Sequence, residues 1–344
     1  MLVGVSFIHS TAMYVLKKIP RELARPFKKL TARKPVEEKP GFDFSQYRMP
    51  TWEEDISRNH SSREPFNNQP APNEMPSESF NIRSRLSENL RAGTPLADFV
   101  ARDSFPIPSC EDREDYQSNN DARYYLNGLS EYLQLRAIIK HYQIELNSYL
   151  DFGCASGRIL RHFCAQSDVK NLWGCDINGR HIKWMNEYLP SNLKLIHNHC
   201  LPTLPIADES MDVISAYSVF THIDTFESAW LAELYRILKP NGLVYFTVQN
   251  DDSWKVLQDA LVTDPNDELL KRMQNRFPET NRLLAGDIPD GYCVLRHNDV
   301  GPYRALVFHS NEYLKKTWGR YFDIVDIKPK WSGRYQSLVV GRKL

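Results

Sequence analysis

The chain has 344 residues, enough for one large domain with extensions or for two ordinary domains with sizeable cores. Lysine plus arginine equals aspartate plus glutamate at 43 each, so no global field draws a polyanion and no nucleic-acid partner is expected. The cysteines at 110, 154, 164, 175, 200 and 293 lie scattered without a CxxC pair, which reads as reduced thiols in a cytoplasmic protein rather than a disulfide framework.

Met1 to Leu16 is moderately apolar, but its positive charges follow rather than precede it, the reverse of a secretory signal. No uninterrupted apolar run reaches the roughly 18 residues of a membrane-spanning helix. Residues 1–34 form a basic N-terminal segment. Within 17–34, Ile19, Leu23, Phe27 and Leu30 fall at helical spacing among eight lysines and arginines, the pattern of a short helix resting on an anionic membrane surface or a protein partner. Pro26 argues for the alternative, a solvated tail. Residues 35–120 are proline-rich, with Ser, Asn, Glu and Arg between the prolines. Such a composition does not bury enough apolar surface to fold alone, so it reads as a linker or a wrapping arm, with Phe80, Ile82, Leu86 and Leu90 as one short amphipathic helix.

After Asp121 the periodicity of Leu126, Leu129, Leu133 and Ala137 predicts a helix leading into the main domain, 121–344. Strand-like runs at 149–153, 171–176, 193–197, 211–217 and 243–249 alternate with helix-compatible stretches at Ile159–Gln166, Gly179–Tyr188 and Thr225–Leu238. Phe322–Ile327 and Gln336–Gly341 supply two last strands around a Ser332-Gly333 turn. The expected fold is α/β: a Rossmann-like, doubly wound, mostly parallel seven-stranded sheet ending in a C-terminal antiparallel hairpin. Lys239-Pro-Asn-Gly242 reads as a turn with glycine supplying the positive φ. Residues 251–305 are a longer insertion, a candidate substrate lid with Arg296, His297 and Tyr303 as candidate contacts.

The first strand runs into Asp151-Phe-Gly-Cys-Ala-Ser-Gly157, a small-residue turn before a helix whose N-terminal amides face any ligand there. Asp176, at the end of the second strand, suits both hydroxyls of a ribose. A nicotinamide site would show GxGxxG, whereas this turn reads GxxxG. Asp151 beside it would repel a diphosphate but suits a ligand carrying an ammonium and a sulfonium. The sign of that charge favours S-adenosylmethionine over NAD. His197 and His199 share a strand face, but no second ligand pair at zinc spacing accompanies them, so no metal is expected.

Asp-Phe-Gly-Cys-Ala-Ser-Gly-Arg-Ile-Leu-Arg-His-Phe, Gly-Cys-Asp-Ile, Leu-Pro-Ile-Ala-Asp-Glu-Ser-Met-Asp-Val-Ile, Ser-Val-Phe-Thr-His-Ile and Glu-Leu-Tyr-Arg-Ile-Leu-Lys-Pro-Asn-Gly together resemble the consecutive motifs of class I S-adenosylmethionine-dependent methyltransferases of the type 11/12 kind, in order over about 148–250. The resemblance implies that Asp151, Gly153, Cys154, Ala155 and Gly157 line the methionine end of the cofactor, that Asp176 holds the ribose, and that Ile177 packs on the adenine. It places Asn198 and His199 at the adenine edge, where the family often has an aspartate, and Tyr217 and Ser218 beside the methyl group. Ala155 stands where a glycine is common. The Ser-Val-Phe-Thr-His variant and the Tyr335-Gln336 hairpin resemble methyltransferases of polysaccharide-building clusters, which implies transfer to a hydroxyl of a small molecule or glycan. His222, following the fourth strand, is the candidate general base, with loop ordering as its structural alternative. Asp224 reads as a helix N-cap in a capping box with Glu227. Two other functions compete: a non-catalytic adaptor of the same fold acting through the basic arm, and an NAD-dependent oxidoreductase.

Overall fold

The structure, a computed structural model, describes residues 80–81, 95–118, 120–296, 305–332 and 335–344. The basic segment 17–34, and with it the expected membrane or protein contact, lies outside the described residues.

The centre is a sheet of β3 (Ser148–Phe152), β4 (Asn171–Asp176), β5 (Lys194–His197), β6 (Met211–Ala216), β7 (Leu238–Asn250), β10 (Asp323–Ser332) and β11 (Gln336–Arg342), in the order β10-β11-β7-β6-β3-β4-β5. The five strands from β5 to β7 run parallel, and β11 and β10 join antiparallel at one edge. These are the seven expected strands, and two more from the insertion bring the sheet to nine. β3 and β6 are buried at every position, as strands covered on both faces must be.

One face is covered by α2 (Asp121–His141), α3 (Leu160–Gln166) and α4 (Gly179–Tyr188), whose Tyr125, Leu129, Leu135, Leu160, Phe163 and Met185 pack over Tyr149, Val213 and Tyr245. The other face carries α5 (Glu227–Ile237) and α9 (Asn311–Thr317), with Trp230, Leu234 and Leu314 over Leu150, Ile214 and Phe246. The first parallel strand is also tied at its base: Asp212 Oδ2 accepts the Asn147 and Ser148 amides at 2.8 and 2.7 Å, while Lys239 holds its other oxygen.

Part of the proline-rich stretch lies against the domain. α1 (Pro95–Arg102), a short pairing of β1 (Phe80–Asn81) with β2 (Pro106–Ile107), and a 3-10 turn at Glu111–Arg113 wrap the α3 and α4 side. The anchor is Arg161 on α3, fully buried. Its guanidinium forks onto Asp103 with two bonds of 2.9 Å and donates to the Phe105 and Pro106 carbonyls. The helix expected around Phe80–Leu90 is corrected where it is described: Phe80 and Asn81 are extended and paired. Pro106 and Ile107 supply a ladder partner that helical periodicity does not reveal.

The insertion folds on itself. α6 (Asp251–Thr263), α7 (Glu268–Arg276), α8 (Thr280–Leu283) and the antiparallel pair β8 (Tyr292–Arg296) and β9 (Ala305–His309) bury Trp254, Leu257, Leu270, Met273, Phe277 and Phe308 among themselves. β9 extends the main sheet by pairing with the end of β7, Gln249 and Asn250 opposite Phe308 and His309.

Two turn assignments need correction. In Lys239-Pro-Asn-Gly242 it is Asn241 that takes the positive φ, at 61°. Asparagine tolerates that region better than most residues, and Gly242 is instead small because a Cβ there would meet the Leu238 side chain at 2.8 Å. α5 starts at Glu227 behind Phe226, which is left-handed and gives no side-chain cap. Asp224 is bound to Arg296 and Glu227 turns inward, so the expected capping box does not form.

Candidate active site

The carboxyl ends of β3, β4, β5 and β6 open onto a cavity of about 590 Å³, at the point where the strand order reverses between β3 and β6. Helices leave the sheet in opposite directions there, and a crevice is the geometric result. Asp151, Gly153, Cys154, Ala155, Asp176, Ile177, Asn198, His199, Tyr217, Ser218 and His222 all line it. Sequence positions up to 71 apart are thus gathered around one space.

The turn after β3 is held in a shape few residues tolerate. Gly153 and Gly157 have φ of 75° and 76°, and a Cβ on Gly153 would clash with the Val219 side chain. Ala155 also sits left-handed, at 46°, so the alanine that replaces the usual glycine carries backbone strain of about 1 kcal/mol. Its amide donates to Asp176 Oδ2 at 2.7 Å, and the Asn178 amide donates to Oδ1 at 2.8 Å. Asp176 therefore ties the glycine turn to the start of α4 while its carboxylate borders the cavity. Gly157 is the exception among the expected contacts. It does not line the cavity, and its missing Cβ leaves room for Met185 and Leu189 of the neighbouring helix.

Asp151 is 2 % exposed and accepts one hydrogen bond, from Ser215 Oγ at 2.9 Å; Tyr149 OH lies 2.6 Å behind that serine. Burial pushes its carboxyl up to about 7, against the smaller opposing pull of the Ser215 bond. A carboxyl in that state binds a cation by losing its proton, and the site lacks the charge balance a diphosphate would need. Asn198 is 9 % exposed. Its Nδ2 donates to the His199 carbonyl, which leaves Oδ1 as a buried acceptor with no partner among the described residues. His199 Nδ1 accepts from the Leu201 amide, so that side chain orders its own loop.

At the opposite end, Tyr217 packs on Tyr245 and donates to the Glu131 carbonyl. Ser218 is left-handed at φ 58°. It is held there by Thr247, which accepts its amide at 2.7 Å, and by Gln336 of β11, which donates to its hydroxyl at 2.7 Å. His222 Nδ1 lies 2.8 Å from the Ala305 carbonyl of β9. A carbonyl only accepts, so Nδ1 carries the proton and Nε2 the lone pair. Burial, helped by the charges of Arg272 and Arg276, moves the imidazole below its ordinary range, and His222 is neutral at neutral pH.

Several lining residues left no mark in the sequence patterns. Arg113, Glu114, Asp115 and Tyr116 form a strap along the cavity, and Arg272 of α7 comes from the insertion. The strap is laced to the turn and to α4: Arg180 pairs with Glu111 and Asp112, Asn178 donates to Glu114, and Ser156 donates to the Asp112 carbonyl. Glu114, Asp115, Gln117 and Ser118 all have positive φ, a local conformation that no spacing rule predicts. Of the contacts expected from the insertion, Arg296 instead clasps Asp224, at 2.7 Å to its carboxylate and 2.8 Å to its carbonyl, while His297 and Tyr303 lie outside the described residues.

Residues 150–246 match the family model of a methyltransferase domain. The chain carries a class I S-adenosylmethionine-dependent methyltransferase domain. The match covers the strands and turns that build this cavity. The malonyl-[acyl-carrier protein] O-methyltransferase of Pectobacterium atrosepticum is 25% identical over 163 residues, 47% of this chain and 56% of that protein, so the chain spans about half the length of this curated relative. Among solved structures, a Methanosarcina mazei S-adenosylmethionine-dependent methyltransferase is similar over 60% of this chain and 97% of its own, at 20% identity and a TM-score of 0.42. The Burkholderia thailandensis 1,6-didemethyltoxoflavin-N1-methyltransferase, solved with its substrate and S-adenosylhomocysteine, is similar over 74% and 91%, at 14% identity and a TM-score of 0.42. Among the described residues of this methyltransferase domain and its extensions, no helix is long and apolar enough to cross a membrane.

Proposed function

We propose that the protein is an S-adenosylmethionine-dependent O-methyltransferase acting on a hydroxyl of a small molecule or glycan. The observation that carries this reading is the pair Asp151 and Asp176 on one cavity, the first a protonatable carboxyl awaiting a cation and the second a ribose-sized acceptor beside a strained turn. Asp151 would face the cofactor's ammonium group, Asp176 the ribose hydroxyls, and the Asn198 Oδ1 acceptor the adenine amine. The bound sulfonium supplies an already activated methyl group, so the chain's own work is to align an acceptor oxygen and to receive its proton. His222, a lining residue whose Nδ1 bonds the Ala305 carbonyl, would be that proton acceptor through its other ring nitrogen, and Gln336 with Thr247 fixes Ser218. The Pectobacterium relative's name supports oxygen as the acceptor atom and raises a carboxyl oxygen beside the hydroxyl. The adaptor and nicotinamide readings have no comparable support.

Calorimetry with S-adenosylmethionine and S-adenosylhomocysteine, followed by a methyl-release assay over a panel of acceptors, tests the proposal. Micromolar binding is expected, and Asp176→Ala weakens it by about 1.5–3 kcal/mol, the worth of hydrogen bonds to a charged group. No binding at millimolar cofactor overturns it.

A further inference from the structure

The two ends of the cavity differ in charge. Around the glycine turn stand Asp115, Asp151 and Asp176. Arg158 and Arg113 line that end as well, but each is committed to a carboxylate, Arg158 to Glu131 at 2.6 Å and Arg113 to Asp121 at 2.8 Å. At the His222 end the balance reverses. Asp224, the carboxylate there, is neutralised by Arg296. Arg272 reaches the same space from α7 and has no ion pair or hydrogen bond among the described residues. Its charge reaches His222, as does that of Arg276, one helical turn further along the same face. A solvent-exposed guanidinium at a cavity rim, with no counter-ion among the described residues, is a docking point for a planar oxyanion.

We infer that Arg272 selects an acceptor bearing an anionic group, a carboxylate or phosphate, next to the oxygen to be methylated. This rests on the reading of the cavity as a methyl-transfer site. It deepens that reading by giving the insertion a role in specificity, because α7 supplies the charge that the domain's own strands and turns do not provide at this end. The anion would sit between Arg272 and His222, and its negative charge would offset the two arginine charges that add to burial in moving the imidazole below its ordinary range. The bound acceptor would thereby make His222 a stronger base at the moment it is needed.

The test uses the full-length protein saturated with S-adenosylhomocysteine, whose binding is measured first and separately, so that failure of the cofactor reading is distinguishable. Hexanoate, hexyl phosphate, hexanamide and hexanol are then titrated by calorimetry or ligand-observed NMR. One or both anions should bind at least tenfold more tightly than the neutral probes. The two anion arms separate carboxylate from phosphate recognition. Arg272→Gln should erase the preference with S-adenosylhomocysteine affinity unchanged, and Arg272→Lys should restore part of it. Equal binding of neutral probes, a preference that survives Arg272→Gln, or no binding by any probe overturns the inference.

Discussion

Asp151 sets the pH behaviour of the site. Its carboxyl is raised to about 7 by burial, against an ordinary value of 3.8. Between those values the folded, ligand-free chain keeps a proton that the unfolded chain has lost. The stability contributed by this group is therefore full below about pH 4 and is lost as the pH rises through 7. Cofactor binding runs the other way, because a cationic ligand needs the carboxylate. Affinity for S-adenosylmethionine should rise across pH 6 to 8, by up to about tenfold per pH unit below the midpoint. Asp151→Asn should flatten that profile, weaken binding and make the ligand-free protein more stable at pH 8; parallel calorimetry and thermal melts decide it. Gly157 offers a purely structural contrast. Gly157→Ala combines a φ of 76° with a Cβ 2.7 Å from Met185 Sδ, and should cost about 1–3 kcal/mol in urea unfolding. At this scale the candidate cofactor residues were legible because charge and small size leave marks in a sequence. The partners of Asp176 were not, since the Ala155 and Asn178 amides are backbone groups available at any residue but proline.

Among the elements, the strands and helices from 148 to 250 were readable because each obeys one period, and β3 to β7 fall within a few residues of the expected runs. The insertion was not readable as a folded unit. Its apolar residues satisfy one another rather than the main sheet, and β8 and β9 look like loop until they are paired. This changes what deletion can show: removing 262–290 would strip Leu270, Met273 and Phe277 from Trp254 and Leu257, so point changes such as those at Arg272 are the sharper probe. The start of α5 is another case. Glu227 is buried and accepts from Trp318 at 2.7 Å, from Tyr313 and from His309, stapling β9 and α9 to the loop that carries His222. Glu227→Ala leaves those donors buried without partners. It should lower stability by about 3–5 kcal/mol, read by chemical denaturation, and should reduce turnover with little effect on cofactor affinity.

Over the whole molecule, the sheet order and the helices on both faces follow from strand and helix alternation, but the segment that closes the cavity does not belong to that pattern. Residues 95–118 read as a poor folding sequence because they have little core of their own, yet they add Val100, Ile107, Asp112 and Arg113 to the buried interior once docked. Arg161 is the test of that docking. Arg161→Ala should cost about 3–5 kcal/mol and open residues 95–107 to limited proteolysis while the 148–250 sheet stays protected. The strap has a kinetic corollary. Its ties to Asn178 and Arg180 are polar, and those to Glu111 and Glu114 are exposed, so little apolar burial holds it closed. In amide hydrogen exchange, residues 111–118 should open as a separate low-energy unit before any central strand does. A ligand that bridges strap and turn would slow exchange there first, so that cofactor occupancy is read in the protection of a segment lying wholly outside the domain match at 150–246.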